Sequence, residues 1–456
     1  MKERLENMLK TYMEEFHYPS AALGIIKDGE KEIITLGKRD LEKNLPMEKD
    51  TIYAIGSQTK AFTALGLAIL LKEKNLSFDN LLKDLYEGFK MEDDYLTDHL
   101  TLRDGLSHRT GFPKHLSAWY NNNFKEPREF LKILGHLPAT MPLRYEFCYQ
   151  SYFFIMGGLI IESLSGKSFG DFLKERIFDK LGMKNTFVLG SYAPDENKAR
   201  PYQFKDGKFF EMSYNYEFTK YPNGSGTIYS TMEDMLKWLD FWVNGNEDVT
   251  SKETYLEVLQ ANTIIREDKN ALNIPHVSNR AYAMGWFRET YRGMQIAQHL
   301  GAVDGFKTHH IFLPEKNIGI SLAVNLNEAG GSELICYSIL EELLGLEKDW
   351  QDDYLKALKN GGQKSEDHEK FESPKGNNFE KYEGLYSHLG YGEFKFFQKD
   401  GKLFVHCFNH DIEVLEKRGQ KYIDFKAYNL SLPMDFKNGN LILKAEGRKI
   451  EIKKIK

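Results

Sequence analysis

The sequence has 456 residues, with 61 Lys and Arg against 67 Asp and Glu, which gives a formal net charge of −6. This acidic balance argues against a nucleic-acid binder that relies on a basic surface, while 41% hydrophobic and 13% aromatic residues exclude a disordered or collagen-like chain. The longest apolar run, residues 153–161, is too short to span a membrane, which takes about 20 residues.

The N-terminal segment and the cysteines indicate the cellular compartment. Charges interrupt the first ten residues throughout, so they lack the apolar core of a signal peptide. The three cysteines, Cys148, Cys336 and Cys407, are odd in number and have no metal-ligand spacing, which argues against a disulfide framework. We therefore expect a soluble cytoplasmic protein.

The predicted elements begin with an amphipathic helix over residues 2–16. Residues 21–27 and 31–36 flank the turn pair Asp28-Gly29, a pattern that predicts a β-hairpin. Residues 58–74 are almost continuously apolar, so we expect a helix that is buried on all sides.

Further helices are predicted in the middle of the chain. Thr101 with Asp104, and Ser230 with Glu233, have the spacing of a capping box, which opens a helix. Residues 152–164 are apolar and predict another buried helix.

Three strand segments come next, at residues 294–300, 306–313 and 318–325. Strands therefore come first, many helices come after them, and strands return. This order predicts an α+β fold whose antiparallel sheet combines two distant parts of the chain.

The composition changes after residue 350. Residues 358–378 are almost entirely polar, which is typical of a linker. Beyond them lie short alternating segments, separated by the turn pairs Asp400-Gly401, Arg418-Gly419, Asn438-Gly439 and Glu446-Gly447. We predict a main domain at 1–350, a linker at 351–378 and a small antiparallel β-barrel at 379–456.

The tetrapeptide Ser57-Gln-Thr-Lys60 opens the predicted buried helix and is the strongest candidate for chemistry. A spacing of three places Ser57 and Lys60 on one helix face. A serine hydroxyl needs a base to become a nucleophile, and a lysine in an apolar cleft can serve as one. The segment around Ser168 also matches Gly-x-Ser-x-Gly, but a helix precedes it where that motif needs a strand, so we interpret Ser168 as a helix connector.

The segment 51–65 around Ser57 and Lys60 resembles the first motif of the serine β-lactamase and penicillin-binding-protein superfamily, in its class C and esterase branch. Similar further segments are 101–111, 224–226, 285–286 and 299–306. The resemblance extends over about residues 10–345 and implies a β-lactamase-like fold, with a helical subdomain packed on an antiparallel sheet and the site between them. We expect the appended barrel to be lipocalin-like.

The resemblance also implies a Tyr-x-Asn motif, for which three positions compete. Tyr120 and Tyr221 match it literally, whereas Tyr149 has Ser151 in place of the asparagine. We choose Tyr149, because the apolar helix after it resembles the helix that comes after the family motif, and we expect Tyr120 to line the substrate pocket. Ser151 offers one donor where the family's amide helps to hold the substrate carbonyl, so efficient β-lactam hydrolysis is not expected.

The third motif resembles His-x-Gly, at His299-Leu-Gly301. By resemblance, Gly301 lets the substrate backbone pass close, and the backbone N–H groups of Ala302 and Ser57 form an oxyanion hole. His299 stands where carboxylate-binding relatives often carry lysine, so we expect help for anionic substrates only if it becomes protonated near pH 6. The remaining histidines do not predict a metal site.

Together these residues imply a serine hydrolase. Ser57 attacks an ester or amide carbonyl, Lys60 and a phenolate-leaning Tyr149 relay the proton, and water releases the acyl-enzyme. Which of Lys60 and Tyr149 is the base stays open, while His108 belongs to a segment that supports the site structurally in the family. No metal or organic cofactor is implied, and the expected partner is a small molecule or short peptide, with neither nucleic acid nor membrane involved.

Several functions fit this chemistry. An esterase or a D-amino-acid amidase or peptidase is favoured, and a β-lactamase or penicillin-binding activity is the alternative. A non-catalytic ligand-binding protein on the same fold is the alternative from another class, which the intact Ser57, Lys60 and Tyr149 argue against.

Overall fold

The computed structural model describes residues 1–122, 124, 126–212, 221–266, 272–327, 330–361, 371–374, 379–425 and 430–456. The helices in this part of the chain are α1 (Lys2–Glu15), α2 (Thr59–Glu73), α3 (Leu82–Leu85), α4 (Asp94–His99), α5 (Leu102–Leu106), α6 (Leu116–Asn121), α7 (Glu129–Leu134), α8 (Tyr152–Ser165), α9 (Phe169–Leu173), α10 (Asp179–Leu181), α11 (Met232–Asn244), α12 (Lys252–Leu259), α13 (Ser332–Leu344) and α14 (Gln351–Gly361).

The strands of the main body are β1 (Ser20–Lys27), β2 (Glu30–Asp40), β3 (Leu45–Pro46), β4 (Tyr53–Ala54), β5 (Tyr202–Lys205), β6 (Lys208–Glu211), β7 (Tyr229–Ser230), β8 (Thr263–Ile264), β9 (Val277–Tyr282), β10 (Phe287–Tyr291), β11 (Met294–Val303), β12 (Phe306–Leu313) and β13 (Ile318–Val324). Nine of them form one antiparallel sheet in the order β3-β2-β1-β13-β12-β11-β10-β9-β8. Strand β1 pairs with β13, with Ala21 opposite Val324, so the sheet joins the two ends of the main body as predicted.

Both faces of this sheet are covered, which explains why its central strands are apolar throughout. Along β1, Leu23 and Ile25 pack with α1 and α13 on one face, while Ala22 and Ile26 belong to the core on the other face. Helix α11 packs on β1, β12 and β13, and α2 packs on α8 and α12 within the helical subdomain. The predicted α+β architecture, in which helices pack on an antiparallel sheet that joins two distant parts of the chain, is therefore confirmed.

The C-terminal part is a closed eight-stranded antiparallel barrel. Its strands are β14 (Gly384–His388), β15 (Gly392–Lys399), β16 (Lys402–Cys407), β17 (His410–Lys417), β18 (Gln420–Phe425), β19 (Leu430–Lys437), β20 (Asn440–Ala445) and β21 (Arg448–Lys454). Alternate residues point inward and are fully buried, such as Val405, Val414 and Ile423. The barrel predicted from the turn pairs is confirmed.

The barrel contacts the main body through α6. The Asn121 side chain donates to the carbonyl oxygens of Tyr391 and Glu393, at 2.8 and 3.0 Å, and accepts from the amide of Phe408 at 2.8 Å. His115, just before α6, lies 3.0 Å from the Tyr391 hydroxyl. A short helix of the subdomain therefore fixes the position of the barrel.

Two local predictions need correction. The helix expected to open with Ser230 and Glu233 is instead capped by Thr231, whose side chain accepts from the amide of Asp234. The first eleven residues of the predicted linker 351–378 form α14, whose Tyr354 is buried against the main body. Residues 362–370 and 375–378 of that linker lie outside the described residues, and the boundaries 1–350 and 379–456 stay predictions.

Candidate active site

Ser57 and Lys60 lie together at the start of α2, as their spacing predicts. A 3₁₀ turn, Gly56–Gln58, leads into the helix, and the Nζ atom of Lys60 lies 3.1 Å from Oγ of Ser57. Gly56 and Gln58 are buried, whereas Ser57 between them is partly exposed. The hydroxyl is therefore accessible while the amine beside it is shielded from water.

Burial determines the protonation state of Lys60. Its side chain is inaccessible to solvent, and this desolvation, together with the nearby charge of Lys114, lowers its pKa to about 7. Nζ donates to the carbonyl oxygen of Ser225 at 2.8 Å, and the Asn223 side chain holds that loop by accepting from the amide and hydroxyl of Ser225. An amine whose pKa is near 7, and which one fixed carbonyl orients, is suited to accept a proton from Ser57.

The structure brings Tyr149 into the same cluster. Its hydroxyl hydrogen-bonds the Ser57 side chain, and its ring centroid lies 5.1 Å from Nζ of Lys60. Desolvation raises the pKa of this phenol well above its ordinary value, an effect that outweighs the hydrogen bond with Ser57. The expectation of a phenolate-leaning Tyr149 is therefore wrong: the residue sits in the site as a neutral O–H donor.

Strand β11 lies so close to the turn that carries Ser57 that a glycine is needed in the turn and another in the strand. A Cβ atom on Gly56, whose φ is +55°, would lie 2.6 Å from the amide nitrogen of Ala302. A Cβ atom on Gly301 would lie 2.0 Å from the carbonyl oxygen of Ile55. This close approach brings the Ala302 amide beside the turn that carries Ser57. The oxyanion hole formed by these two amides stays a prediction.

His299 lies behind the site as a neutral side chain. Its Nδ1 donates to the carbonyl oxygen of Leu300 at 2.6 Å, so its Nε2 accepts from the Tyr282 hydroxyl at 2.9 Å. Burial and the charge of Lys60 lower its pKa to about 3. The condition under which His299 would help anionic substrates, its protonation near pH 6, is therefore not met.

His108 packs against Tyr149, with ring centroids 4.4 Å apart. Its Nδ1 accepts from the amide of Gln150 at 3.3 Å, and burial holds its pKa well below the ordinary value. A neutral ring that fixes the backbone next to Tyr149 agrees with the supporting role expected for this segment.

Two predicted binding residues occupy the edges of the cluster. Ser151 directly precedes α8, is half-buried, and its hydroxyl does not cap the helix. Tyr120 lies in α6, half-buried against the main core and next to the barrel contact of Asn121. Their substrate contacts stay predictions.

Ser168, the second serine with a motif-like sequence, has a structural role. Ser168 connects α8 with α9, and its side chain caps α9 by accepting from the amide of Asp171. It lines a separate cavity of about 440 Å³ between α8, α9 and Tyr221. The interpretation of Ser168 as a helix connector is confirmed.

Sequence reasoning did not assign three groups that surround the site. These are the carbonyl of Ser225, the hydroxyl of Tyr282 and the ammonium of Lys114, whose Nζ lies 5.7 Å from the Tyr149 ring centroid. They come from loops and strands far apart in sequence. Only the Gly224-Ser-Gly226 segment carries a signal in the sequence, as part of the family resemblance.

Comparison with known proteins places this site in a family. The Beta-lactamase family model matches residues 5–339. The curated unguisins hydrolase ungD' of Aspergillus campestris is 26% identical over 369 residues, covering 76% of this chain and 66% of that protein, so the chain spans slightly less than two thirds of this relative.

Solved structures share the fold. The octameric penicillin-binding protein homologue from Pyrococcus abyssi has a TM-score of 0.69 and 22% identity, with 99% of each chain covered. The D-amino acid amidase from Ochrobactrum anthropi SV3 has a TM-score of 0.62 and 21% identity, covering 79% of this chain and 99% of that one. No helix among the described residues is long and apolar enough to cross a membrane. Because the family model extends over most of the main body and includes the Ser57–Lys60 pair, this chain belongs to the Beta-lactamase family.

Proposed function

We propose that this protein is a serine hydrolase that cleaves an ester or amide bond through an acyl-enzyme on Ser57. The observation that carries the proposal is the 3.1 Å contact between Ser57 Oγ and a Lys60 amine whose pKa is about 7. Two similar proteins are named unguisins hydrolase and D-amino acid amidase. These names support hydrolysis as the reaction and make amides a substrate class to test beside esters.

The protonation states support Lys60 as the base in acylation. As a neutral amine it donates one N–H to the Ser225 carbonyl and takes the Ser57 proton on its lone pair. Ser57 then attacks the substrate carbonyl, and the amides of Ser57 and Ala302 stabilise the oxyanion. Tyr149 donates its proton to the leaving group and is reprotonated from the Lys60 ammonium.

Deacylation reverses the direction of the proton. A water molecule attacks the acyl-enzyme carbonyl and gives up its proton through Tyr149 and Lys60. Collapse of the intermediate returns a proton to Ser57 and releases the carboxylic acid. Each turnover therefore leaves all three side chains in their starting states.

Active-site labelling tests the proposal. A fluorophosphonate probe should modify wild type on a peptide that contains Ser57, and Ser57→Ala should lose both the label and the hydrolysis of p-nitrophenyl butyrate. Ser168→Ala is the matched control, because it removes the other motif-like serine and should keep both. Labelling of Ser168, or hydrolysis retained by Ser57→Ala, would refute the assignment. Binding of esters without any turnover would favour a ligand-binding protein.

A further inference from the structure

One exposed lysine, Lys114, lies beside Tyr149. Lys114 lies in the segment between α5 and α6, and its side chain is exposed. Its Nζ lies 5.7 Å from the Tyr149 ring centroid, and Nζ of Lys60 lies 5.1 Å from the same centroid. Two amines therefore flank one ring, one of them buried and one open to solvent.

The charge of Lys114 affects two groups of the site, Lys60 and His108. It lowers the pKa of Lys60 and contributes to the low pKa of His108. Among the described residues, no hydrogen bond or ion pair joins Lys114 to a partner. The position beside Tyr149 therefore carries a positive charge that has no ion-pair partner among the described residues.

Two acidic residues on the same side of the site have partners of their own. Glu146 and Glu446 raise the pKa of Cys148 through their charges, and Lys114 lowers it. All three side chains therefore lie on the same side of the site. The Glu446 carboxylate accepts from the amide of Leu116 at 3.1 Å, and Glu146 faces Arg266 at 4.0 Å. Both carboxylates thus have partners other than Lys114.

The other basic groups of the site cannot supply a fixed charge. His299 is neutral with both ring nitrogens engaged, and Lys60 is buried and donates to Ser225. Lys114 is therefore an exposed cation beside Tyr149 that an anionic substrate group can meet when it enters the site.

We propose that Lys114 forms a carboxylate-binding subsite beside Tyr149, so that the preferred substrates are esters or amides that carry a negative charge near the scissile bond. This inference rests on the proposed function. The subsite lies next to the proton donor Tyr149, and thus on a different element from His299, where the family resemblance would place anion binding.

The test compares matched esters that differ in charge. One pair places the carboxylate on the acyl group, as mono-p-nitrophenyl adipate against p-nitrophenyl hexanoate. The other places it on the leaving group, as 3-acetoxybenzoate against phenyl acetate. The measured quantity is the ratio of kcat/KM for the anionic ester to kcat/KM for the neutral ester, at pH 9 and low ionic strength.

Lys114→Met should lower this ratio about three- to tenfold for at least one pair, as expected for loss of a partly solvated charge contact. Lys114→Arg should preserve the ratio, because it retains the charge. Lys74→Met is the matched control: it removes an exposed lysine at the opposite end of α2 and should not change the ratio. Added salt should reduce the ratio in wild type more than in Lys114→Met.

A second readout separates a charge effect from a structural one. Loss of the Lys114 charge should move the acid limb of kcat/KM for the neutral ester to higher pH, because a like charge no longer disfavours the Lys60 ammonium. Equal ratios in wild type and Lys114→Met for both pairs would overturn the subsite while Ser57-dependent hydrolysis of the neutral esters continues. Hydrolysis that does not depend on Ser57 would instead refute the proposed function.

Discussion

Protonation of Lys60 should slow acylation of Ser57 as the pH falls from 8 to 6. With a pKa of about 7, the neutral amine makes up about nine tenths of the Lys60 population at pH 8 and about one tenth at pH 6. An ordinary solvated lysine would be neutral in only about one molecule in 300 at pH 8. We therefore expect the acylation rate constant to fall about tenfold over this interval.

The assay is the second-order rate constant for modification of Ser57 by a fluorophosphonate without ionisable groups, measured from about pH 5.5 to 9.5. This reagent reports on the nucleophile alone, so substrate ionisation does not contribute. Other groups of the site do not titrate in this range in a way that mimics Lys60. The pKa of His299 is about 3, that of His108 lies well below its ordinary value, and that of Tyr149 lies well above it.

A different pH profile would contradict this reasoning. A rate constant that is flat from pH 6 to 9, or that is still rising tenfold per pH unit at pH 9.5, would mean that Lys60 with a pKa of about 7 is not the base. Lys60→Arg supplies the control, because its guanidinium stays protonated, so its residual rate should lack the inflection near pH 7.

Three further predictions concern Tyr149, the barrel contact and Ser151. Tyr149→Phe removes the proton donor and should lower kcat/KM for p-nitrophenyl butyrate by about 10² to 10⁴, with Ser57 still labelled slowly; an unaltered kcat/KM would exclude Tyr149 from proton transfer. Asn121→Ala breaks three hydrogen bonds to the barrel and should lower the free energy of unfolding by about 2–3 kcal/mol. Thermal unfolding measures this loss, with Asn244→Ala as the control variant. Equal melting temperatures for the two variants would argue against this contact. Wild type should hydrolyse benzylpenicillin less efficiently than short esters, and Ser151→Asn should speed its acylation about fivefold, the equivalent of one hydrogen bond of about 1 kcal/mol; stopped-flow acylation that is faster for benzylpenicillin than for every ester would identify a β-lactamase instead.

Local sequence patterns were sufficient to predict turns and helix caps, because these form between residues that are close in sequence. The Asp28-Gly29 turn has positive φ at both residues, +52° and +88°, as a two-residue hairpin requires. Thr101 and Asp104 form the predicted capping box reciprocally. In each case the residues that determine the geometry are within three positions of one another, so the sequence alone carries the information.

Tertiary contacts explain the local predictions that were wrong. Ser230 and Thr231 can both cap a helix, but Ser230 pairs with Tyr53 in β4 and β7, which leaves Thr231 as the cap. Helix α14 has many polar residues and resembled a linker, yet Trp350 and Tyr354 bury their rings in the core that contains α13. A few aromatic anchors outweighed the composition of the segment.

The same reason limits prediction of the site. Ser57 and Lys60 share one helix and could be recognised from their spacing, whereas Lys114, Ser225 and Tyr282 reach the cluster only through the folded chain. The ionisation state of Tyr149 was harder still to predict from the sequence. The direction of its pKa shift depends on desolvation by residues that no motif contains.

The pairing of β1 with β13 has a consequence for biosynthesis. Ala21 leaves the ribosome 303 residues before its partner Val324, a delay of about 15 to 60 s at translation rates of about 5–20 residues per second. During that time the apolar hairpin of β1 and β2 has no sheet to join, which makes it a candidate for chaperone binding. The barrel differs, because each of its strands pairs with the next one along the chain and only the closing β14–β21 pair is distant. Slow completion of the main body and then rapid closure of the barrel is the expected order of folding.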